Sequence, residues 1–354
     1  MTASRPAQAL AVPVDLTALE RWLDSAGVGS GPLQNVASLS GGTQNILVRF
    51  ERDGASYVLR HPPRHKRPES EEVMRREIRL LRLLDDVAEG AAVPHARLVA
   101  ADESGAHLGS ACFVTTLVDG FTPGHGLPTA FHQRPDWQRD WSLDLVDVLA
   151  ALASVPVDAA VAAGFRDPSG WLERQPKRWL EQLHSYPTDE FRAVGELLTG
   201  WLQERSPRAW RPGLIHGDYS LGNVLVDPRR PRVAAVLDWE LVTLGEPLLD
   251  LAHLLLSWPV DNPGSVYAGL RAPGLPPVAT LAQRYAERAD REITELDWYA
   301  VLACLRLGTL LEGTHARSLQ QAAPTDVGIR LHALARSLFE RAEAYVRGRA
   351  PLLT

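Results

Sequence analysis

The sequence predicts an α+β protein of two unequal lobes. Three observations lead there. The chain has 354 residues, more than one hydrophobic core usually serves. Short stretches of period-two alternation are confined to about the first 118 residues, and helical periodicity dominates the rest. The expected division is residues 1–118, a small sheet-rich lobe with an N-terminal helix, and residues 119–354, a mainly helical lobe, with the joint between Thr116 and Gly120.

In chain order, Asp15 caps a short helix running through Ser25, which Gly27 stops. "LQNVASLS", "QNILVRFE" and "SYVLRH" then read as three strands, the last two joined by an Asp53-Gly54 hairpin turn. A proline-rich loop carrying Arg64, Lys66 and Arg67 precedes a helix from Glu69 to Asp86, and "HARLVAAD" and "SACFVTTLVDG" complete five strands. Residues 122–133 read as loop. Helices are expected from Trp137 to Ser154, Gly170 to Ser185 and Asp189 to Arg205. Three short β-like pieces follow, "LIHGD", "NVLVD" and "VAAVLDWE", and then four more helices, "PLLDLAHLLLSW", "VATLAQRYAERA", "DWYAVLACLRLGTLLEGTHARSL" and "VGIRLHALARSLFERAEAYVRG". The tryptophans at 137, 141, 171, 179 and 201 lie on amphipathic helices and read as core or groove wall.

Composition narrows the function. The formal charge of -6 is spread along the chain, which gives no footprint for nucleic acid or an anionic membrane. The N-terminus has no sustained apolar segment, and no later stretch stays apolar for the roughly 20 residues of a membrane span. The two cysteines, Cys112 and Cys304, sit in apolar surroundings at no metal or redox spacing. They read as buried thiols of a reducing compartment, so the expectation is a cytoplasmic protein. Its oligomeric state is not legible in the sequence.

Chemistry concentrates in "LIHGDYSLGNVLVD", residues 214–227, where an apolar run breaks into His216, Gly217 and Asp218 and resumes past Asn223. Fifteen residues later a second apolar strand ends in Asp238. A charge at the end of a buried strand costs several kcal/mol unless it is paired or bound to metal. Asp218 alone could be satisfied polar core. Together with Asn223 and Asp238 it forms an all-oxygen donor set suited to Mg²⁺ and phosphate. The order His-x-Asp-x-x-x-x-Asn, followed by an aspartate at the end of the next strand, is the catalytic pattern of kinase-fold phosphotransferases.

Upstream, Glu77 lies within the apolar stripe of the helix that holds Ser70, Val73, Met74, Ile78, Leu81 and Leu84. A core-facing carboxylate calls for a cation, and Arg60, at the end of "YVLR", supplies one. The two lysines, Lys66 and Lys177, fall in no expected strand. Gly41 and Gly42, between two strands in "SLSGGTQNILV", form either a plain hairpin turn or a place where backbone amides approach phosphate.

With "SGGTQN", "YVLRHPP", "RREIRLL", "CFVTTLVDG", "LIHGDYSLGNVLV", "VLDWELVTLGEPLLDLAHLL" and "WYAVLACLRLGTLLEGTHARSL", the sequence resembles the aminoglycoside phosphotransferase family over about residues 36–319. It looks most like the branch associated with acyl-CoA dehydrogenases. The resemblance implies a two-lobed protein-kinase-like fold, use of ATP and Mg²⁺, and transfer of the γ-phosphoryl group to a hydroxyl of a small molecule. It implies Asp218 as catalytic base, Asn223 and Asp238 as Mg²⁺ ligands, and Arg60 with Glu77 positioning the phosphates. His216 would brace the catalytic loop and Asp250 would anchor its backbone. The backbone near Thr116 and Val118 would meet the adenine, with Val58 and Phe113 packing on it. Trp239 and Glu240 stand where protein kinases carry Phe and Gly, so the in/out switch of that segment is not expected here. Arg306, Glu312 and Arg317 follow helical spacing and either face substrate, lie on the surface or pair within the protein. Glu173, Glu246 and Glu312 are too scattered to define an acidic amino-sugar pocket, and the branch points toward hydroxylated acyl-thioesters or related acids. Two other readings are a catalytically silent nucleotide-binding scaffold and a metal-dependent hydrolase built on His216, Asp218 and Asp238. The second leaves Arg60 and Glu77 without a role.

Overall fold

A computed structural model describes residues 13–39, 45–63, 70–88, 92–260, 262, 264–319 and 325–353. The chain divides into two compact units, residues 1–89 with 94–119, and 90–93 with 120–354.

The first unit comprises α1 (Leu16–Ser25), β1 (Gln34–Ser38), β2 (Ile46–Arg52), β3 (Ala55–His61), α2 (Ser70–Asp86), β4 (Leu98–Asp102) and β5 (Cys112–Thr116). Its five strands form one antiparallel sheet in the order β1-β2-β3-β5-β4. Asp15 caps α1 by accepting the Ala18 amide at 3.0 Å. Asp53 and Gly54 turn the β2-β3 hairpin with φ of +52° and +74°, the left-handed pair that a two-residue turn of this hand requires.

Strand alternation sends Val48, Phe50, Leu59, Cys112 and Val114 to one face, where Leu19, Trp22 and Leu23 of α1 cover them. Phe113 goes to the opposite face and meets Met74, Ile78 and Leu81 of α2. Arg60 follows Leu59 and pairs in register with Phe113, so alternation delivers it to the face that α2 covers. Leu80 and Leu83 are also buried, which widens the stripe expected for α2, whereas Val73 is only half-buried.

The second unit contains α3 (Thr129–His132), α4 (Pro135–Ala153), α5 (Val157–Ala162), α6 (Trp171–His184), α7 (Arg192–Glu204), β6 (Gly213–Ile215), β7 (Val224–Val226), β8 (Val233–Val236), β9 (Thr243–Gly245), α8 (Leu248–Ser257), α9 (Val278–Ala289), α10 (Leu296–Ser318) and α11 (Asp326–Val346). The expected helices and three β-like pieces are present. The sequence reading missed α3, α5 and β9, all too short to show a period. β9 pairs antiparallel with β6, and β7 with β8. Helix α10 runs through the core with most of its residues buried and packs on α6, α8 and α11. Cys112 and Cys304 are buried free thiols. No helix among the described residues is long and apolar enough to cross a membrane.

Candidate active site

The site in the second unit is built where β6 ends. Gly217 adopts φ +87°, and a Cβ there would lie 2.8 Å from the Leu241 carbonyl oxygen and 2.9 Å from Arg306 Nη2, so the turn admits only glycine. Asp250, in the first turn of α8, accepts the His216 amide at 2.6 Å and the Gly217 amide at 2.9 Å. Burial raises the Asp250 pKa, and those two amides oppose the shift. The loop is tied down again where the Tyr219 hydroxyl donates to the Leu145 carbonyl at 2.8 Å.

His216 has no exposed surface. Its Nδ1 accepts the Asp218 amide at 3.1 Å, so its proton sits on Nε2 and is donated to the Leu237 carbonyl at 2.8 Å. Burial lowers its pKa. Both ring nitrogens are committed to backbone, which leaves neither for proton transfer. The ends of β7 and β8 place Asp238: Leu237 donates its amide to the Asn223 carbonyl at 2.8 Å, and Asp238 then leaves the β8 direction at φ +60°. Trp239 is buried, with its ring centroid 4.7 Å from that of His216.

Asn223 Nδ2 donates to the Asp218 backbone carbonyl at 2.9 Å and to Asp218 Oδ2 at 2.8 Å. Both N–H groups are then used, and Oδ1 is the atom left to meet a cation. The Asp218 carboxylate keeps 40% of its side-chain surface exposed. Desolvation raises its pKa, His216, Arg306 and Asn223 oppose that, and the negative charge of Asp238 reinforces it. Two carboxylates that repel one another beside a free amide oxygen form a hard, all-oxygen donor set, which fits Mg²⁺.

In the first unit, Arg60 Nε lies 3.2 Å from Glu77 Oε2, with the side chains 15% and 2% exposed. The Thr116 amide donates to the Arg97 carbonyl at 3.0 Å and the Leu117 amide to the Ser56 carbonyl at 2.9 Å. Of the segment expected to meet adenine, the Thr116 amide is therefore already spent on the sheet. Val118 lies beyond the end of β5, with its backbone outside the ladder. Gly41 and Gly42, together with Arg64, Lys66 and Arg67, fall outside the described residues.

Two further residues lie near Asp218, one that the sequence reading passed over and one that it left between alternatives. His253 was not singled out, although it follows Asp250 by three positions on one face of α8, a spacing that could have revealed it. It is 6% exposed, its Nε2 lies 3.4 Å from Asp218 Oδ1, and burial, reinforced by the Arg306 charge, pushes its pKa down to about 4. Arg306 was expected either to face substrate or to pair within the protein. It is 7% exposed, donates to the Gly217 carbonyl through Nη1 and lies with its guanidinium 5.4 Å from the Trp179 ring centroid. It is a buried cation under the loop, with Asp250 and Asp218 as its counter-charges.

A cavity of about 280 Å³ opens beside Asp218, Asn223 and His253. Its walls are largely apolar, with Leu256, Val266, Leu307, Leu311, Leu334 and Leu338, and Arg341 also lines it. Among the described residues of its lining, Asp218 is the only carboxylate.

The sequence model of the phosphotransferase enzyme family (APH) matches residues 35–287, well over half of the chain. The chain belongs to the APH phosphotransferase family. Its relatives bear out the kinase-like α+β fold. A candidate aminoglycoside phosphotransferase from Ralstonia eutropha JMP134 is 29% identical, with a TM-score of 0.76 over 93% of this chain and 98% of that one. The GDP complex of aminoglycoside 2'-phosphotransferase-IIIa shares the fold, with 18% identity and a TM-score of 0.62 over 94% and 99% of the two chains. Among curated proteins, mouse acyl-CoA dehydrogenase family member 10 is 26% identical over 341 residues, 94% of this APH chain. The chain spans 31% of that relative's length.

Proposed function

We propose that this APH-family chain transfers the terminal phosphoryl group of ATP, with Mg²⁺, to a hydroxyl of a small molecule with an apolar body. The observation that carries the proposal is the position of Asp218, a partly exposed carboxylate held by Asn223 at the mouth of an apolar cavity.

In this reading Asp218 orients the acceptor hydroxyl and takes its proton as the oxygen bonds to the γ-phosphorus. The bond from that phosphorus to the bridging oxygen breaks, and ADP leaves. The Asn223 oxygen and Asp238 would hold the metal, and Arg60, braced by Glu77, would serve the phosphates of the nucleotide. Mg²⁺ supplies charge neutralisation for the transferred group, the main demand of a reaction whose transition state needs little covalent help. His216 and Asp250 hold the loop through hydrogen bonds to its backbone and to the Leu237 carbonyl. With the Thr116 amide spent on Arg97, the Val118 backbone is the proposed adenine edge, with Val58 and Phe113 as packing partners.

The cavity favours a hydroxylated acyl compound over an antibiotic amino sugar. A polycationic acceptor needs carboxylates, and the lining offers only Asp218 among the described residues. Glu246 is buried and already committed, to Arg291 at 2.8 Å and to the Arg211 amide at 2.7 Å. Leucine walls suit an acyl chain, and Arg341, whose Nη1 and Nη2 donate to the Leu256 and Leu352 carbonyls, adds a positive charge to the lining.

The test is an ADP-formation screen contrasting hydroxyacyl-CoA thioesters, free hydroxy acids, sugars, macrolides and aminoglycosides, with and without Mg²⁺. Mg²⁺-dependent turnover of hydroxyacyl compounds is expected. Turnover of aminoglycosides alone would overturn the acceptor class. Nucleotide binding without ADP formation from any of these acceptors would overturn the transfer itself.

A further inference from the structure

Helices α10 and α11 bring together Glu312, His315 and His332, whose ligand atoms all lie within 4.8 Å of one another. Glu312 and His315 are three positions apart on α10 and share a face, the Glu-x-x-His spacing with which one helix supplies two metal ligands. Glu312 has no exposed surface, and its Oε1 has no hydrogen-bond partner. His315 Nδ1 is likewise buried without a partner. The His315 and His332 rings are 4.3 Å apart between centroids.

The third member is oriented from outside. His332 Nε2 lies 3.2 Å from Glu190 Oε2, and Glu190 is itself held by Arg336 at 2.6 Å. His332 Nε2 also lies 3.4 Å from the donor Arg336 Nη2, and Nδ1 lies 2.7 Å from Glu312 Oε2. A hydrogen bond from His332 serves Glu312 Oε2 alone and leaves Glu312 Oε1 and His315 Nδ1 without a partner in the interior, where an unmet polar group is costly. A divalent cation satisfies all three side chains together.

We propose that Glu312, His315 and His332 form a binding site for a zinc-type divalent cation, separate from the nucleotide site and joining α10 to α11. Two imidazoles and one carboxylate are the donor set of a tetrahedral Zn²⁺ with one position left for water. With the cation on Nδ1, Glu190, 3.2 Å from Nε2, would be the outer carboxylate that receives the remaining ring proton, the usual support of a metal-bound histidine.

The experiment uses the full chain stripped with a chelator. Zn²⁺ is titrated against a chromophoric competitor, metal per chain is counted, and Co²⁺ replaces Zn²⁺ for visible and X-ray absorption spectra. The expected result is one Zn²⁺ per chain, a raised melting temperature, a tetrahedral Co²⁺ spectrum, and two imidazoles with one carboxylate in the coordination shell. His315→Ala or His332→Ala should weaken binding by at least about 100-fold and Glu190→Gln by about 10- to 100-fold, while Asp238→Asn leaves it unchanged. The wild-type coordination spectrum decides the matter even where a variant fails to fold. Absence of a stoichiometric Zn²⁺, a shell without two imidazoles, or loss of the ion in Asp238→Asn would overturn the proposal.

Discussion

His253 Nε2 lies 3.4 Å from Asp218 Oδ1, and His253 is one helical turn beyond Asp250, which receives the amides of the loop that carries Asp218. One face of α8 thus holds the Asp218 loop at its backbone and touches its carboxylate. His253 is kept neutral there, because burial and the Arg306 charge push its pKa down to about 4.

That shift makes stability depend on pH with a definite sign. The unfolded histidine takes up a proton as pH falls through about 6.5, while the folded one does so only near 4, so the unfolded state binds more protons between those values. Stability present above about pH 6.5 is therefore lost on the way down to pH 4, by up to about 3 kcal/mol from this residue. Urea unfolding of wild type and His253→Gln across that window should show a flatter slope for the variant. Parallel slopes would remove His253 as the cause.

Asp218→Asn keeps the shape of the loop and removes the base. Turnover should fall by about 10² to 10⁴, with the melting temperature little changed. The raised pKa of Asp218 also predicts that wild-type kcat/KM declines on the acid side at a pH above the ordinary aspartate value. Turnover of Asp218→Asn within a few-fold of wild type would exclude a role as base.

Asp238→Ala should weaken nucleotide binding when Mg²⁺ is present and leave it nearly unchanged without the metal. Calorimetry under the two conditions separates a metal ligand from a residue that only shapes the loop. Equal affinities for wild type and variant in Mg²⁺ would contradict the assignment.

Glu77→Gln breaks a buried ion pair, which should cost about 3 kcal/mol or less, given that Arg60 keeps some exposure. If Arg60 holds phosphate only when braced, nucleotide affinity should also drop about tenfold, the equivalent of roughly 1.4 kcal/mol. Denaturant unfolding reads the first effect and nucleotide titration the second.

Gly217→Ala forces a Cβ to within 2.8 Å of the Leu241 carbonyl oxygen at φ +87°. The strain should cost about 1–3 kcal/mol and displace Asp218, the next residue, so stability and turnover fall together. Unchanged melting and rate would show that the turn has room the geometry denies.

The sequence by itself determined the order of elements and the residue types of the site. The Asp53-Gly54 turn, the capped α1, the period-two strands and the long helices are local facts, set by backbone sterics and by which face is apolar. The pairing of Glu77 with Arg60 was legible for the same reason, since a carboxylate inside an apolar stripe demands a cation. Only the tertiary structure decided the rest. Strand β9 is three residues long and exists because β6 offers it an edge. The sequence left the surroundings of Arg306 and Glu312 open, and because α10 is enclosed by α6, α8 and α11, Arg306 is buried against the Gly217 carbonyl and Glu312 against His332. Burial of a charge depends on what packs around its helix, and periodicity within one helix carries no record of its neighbours.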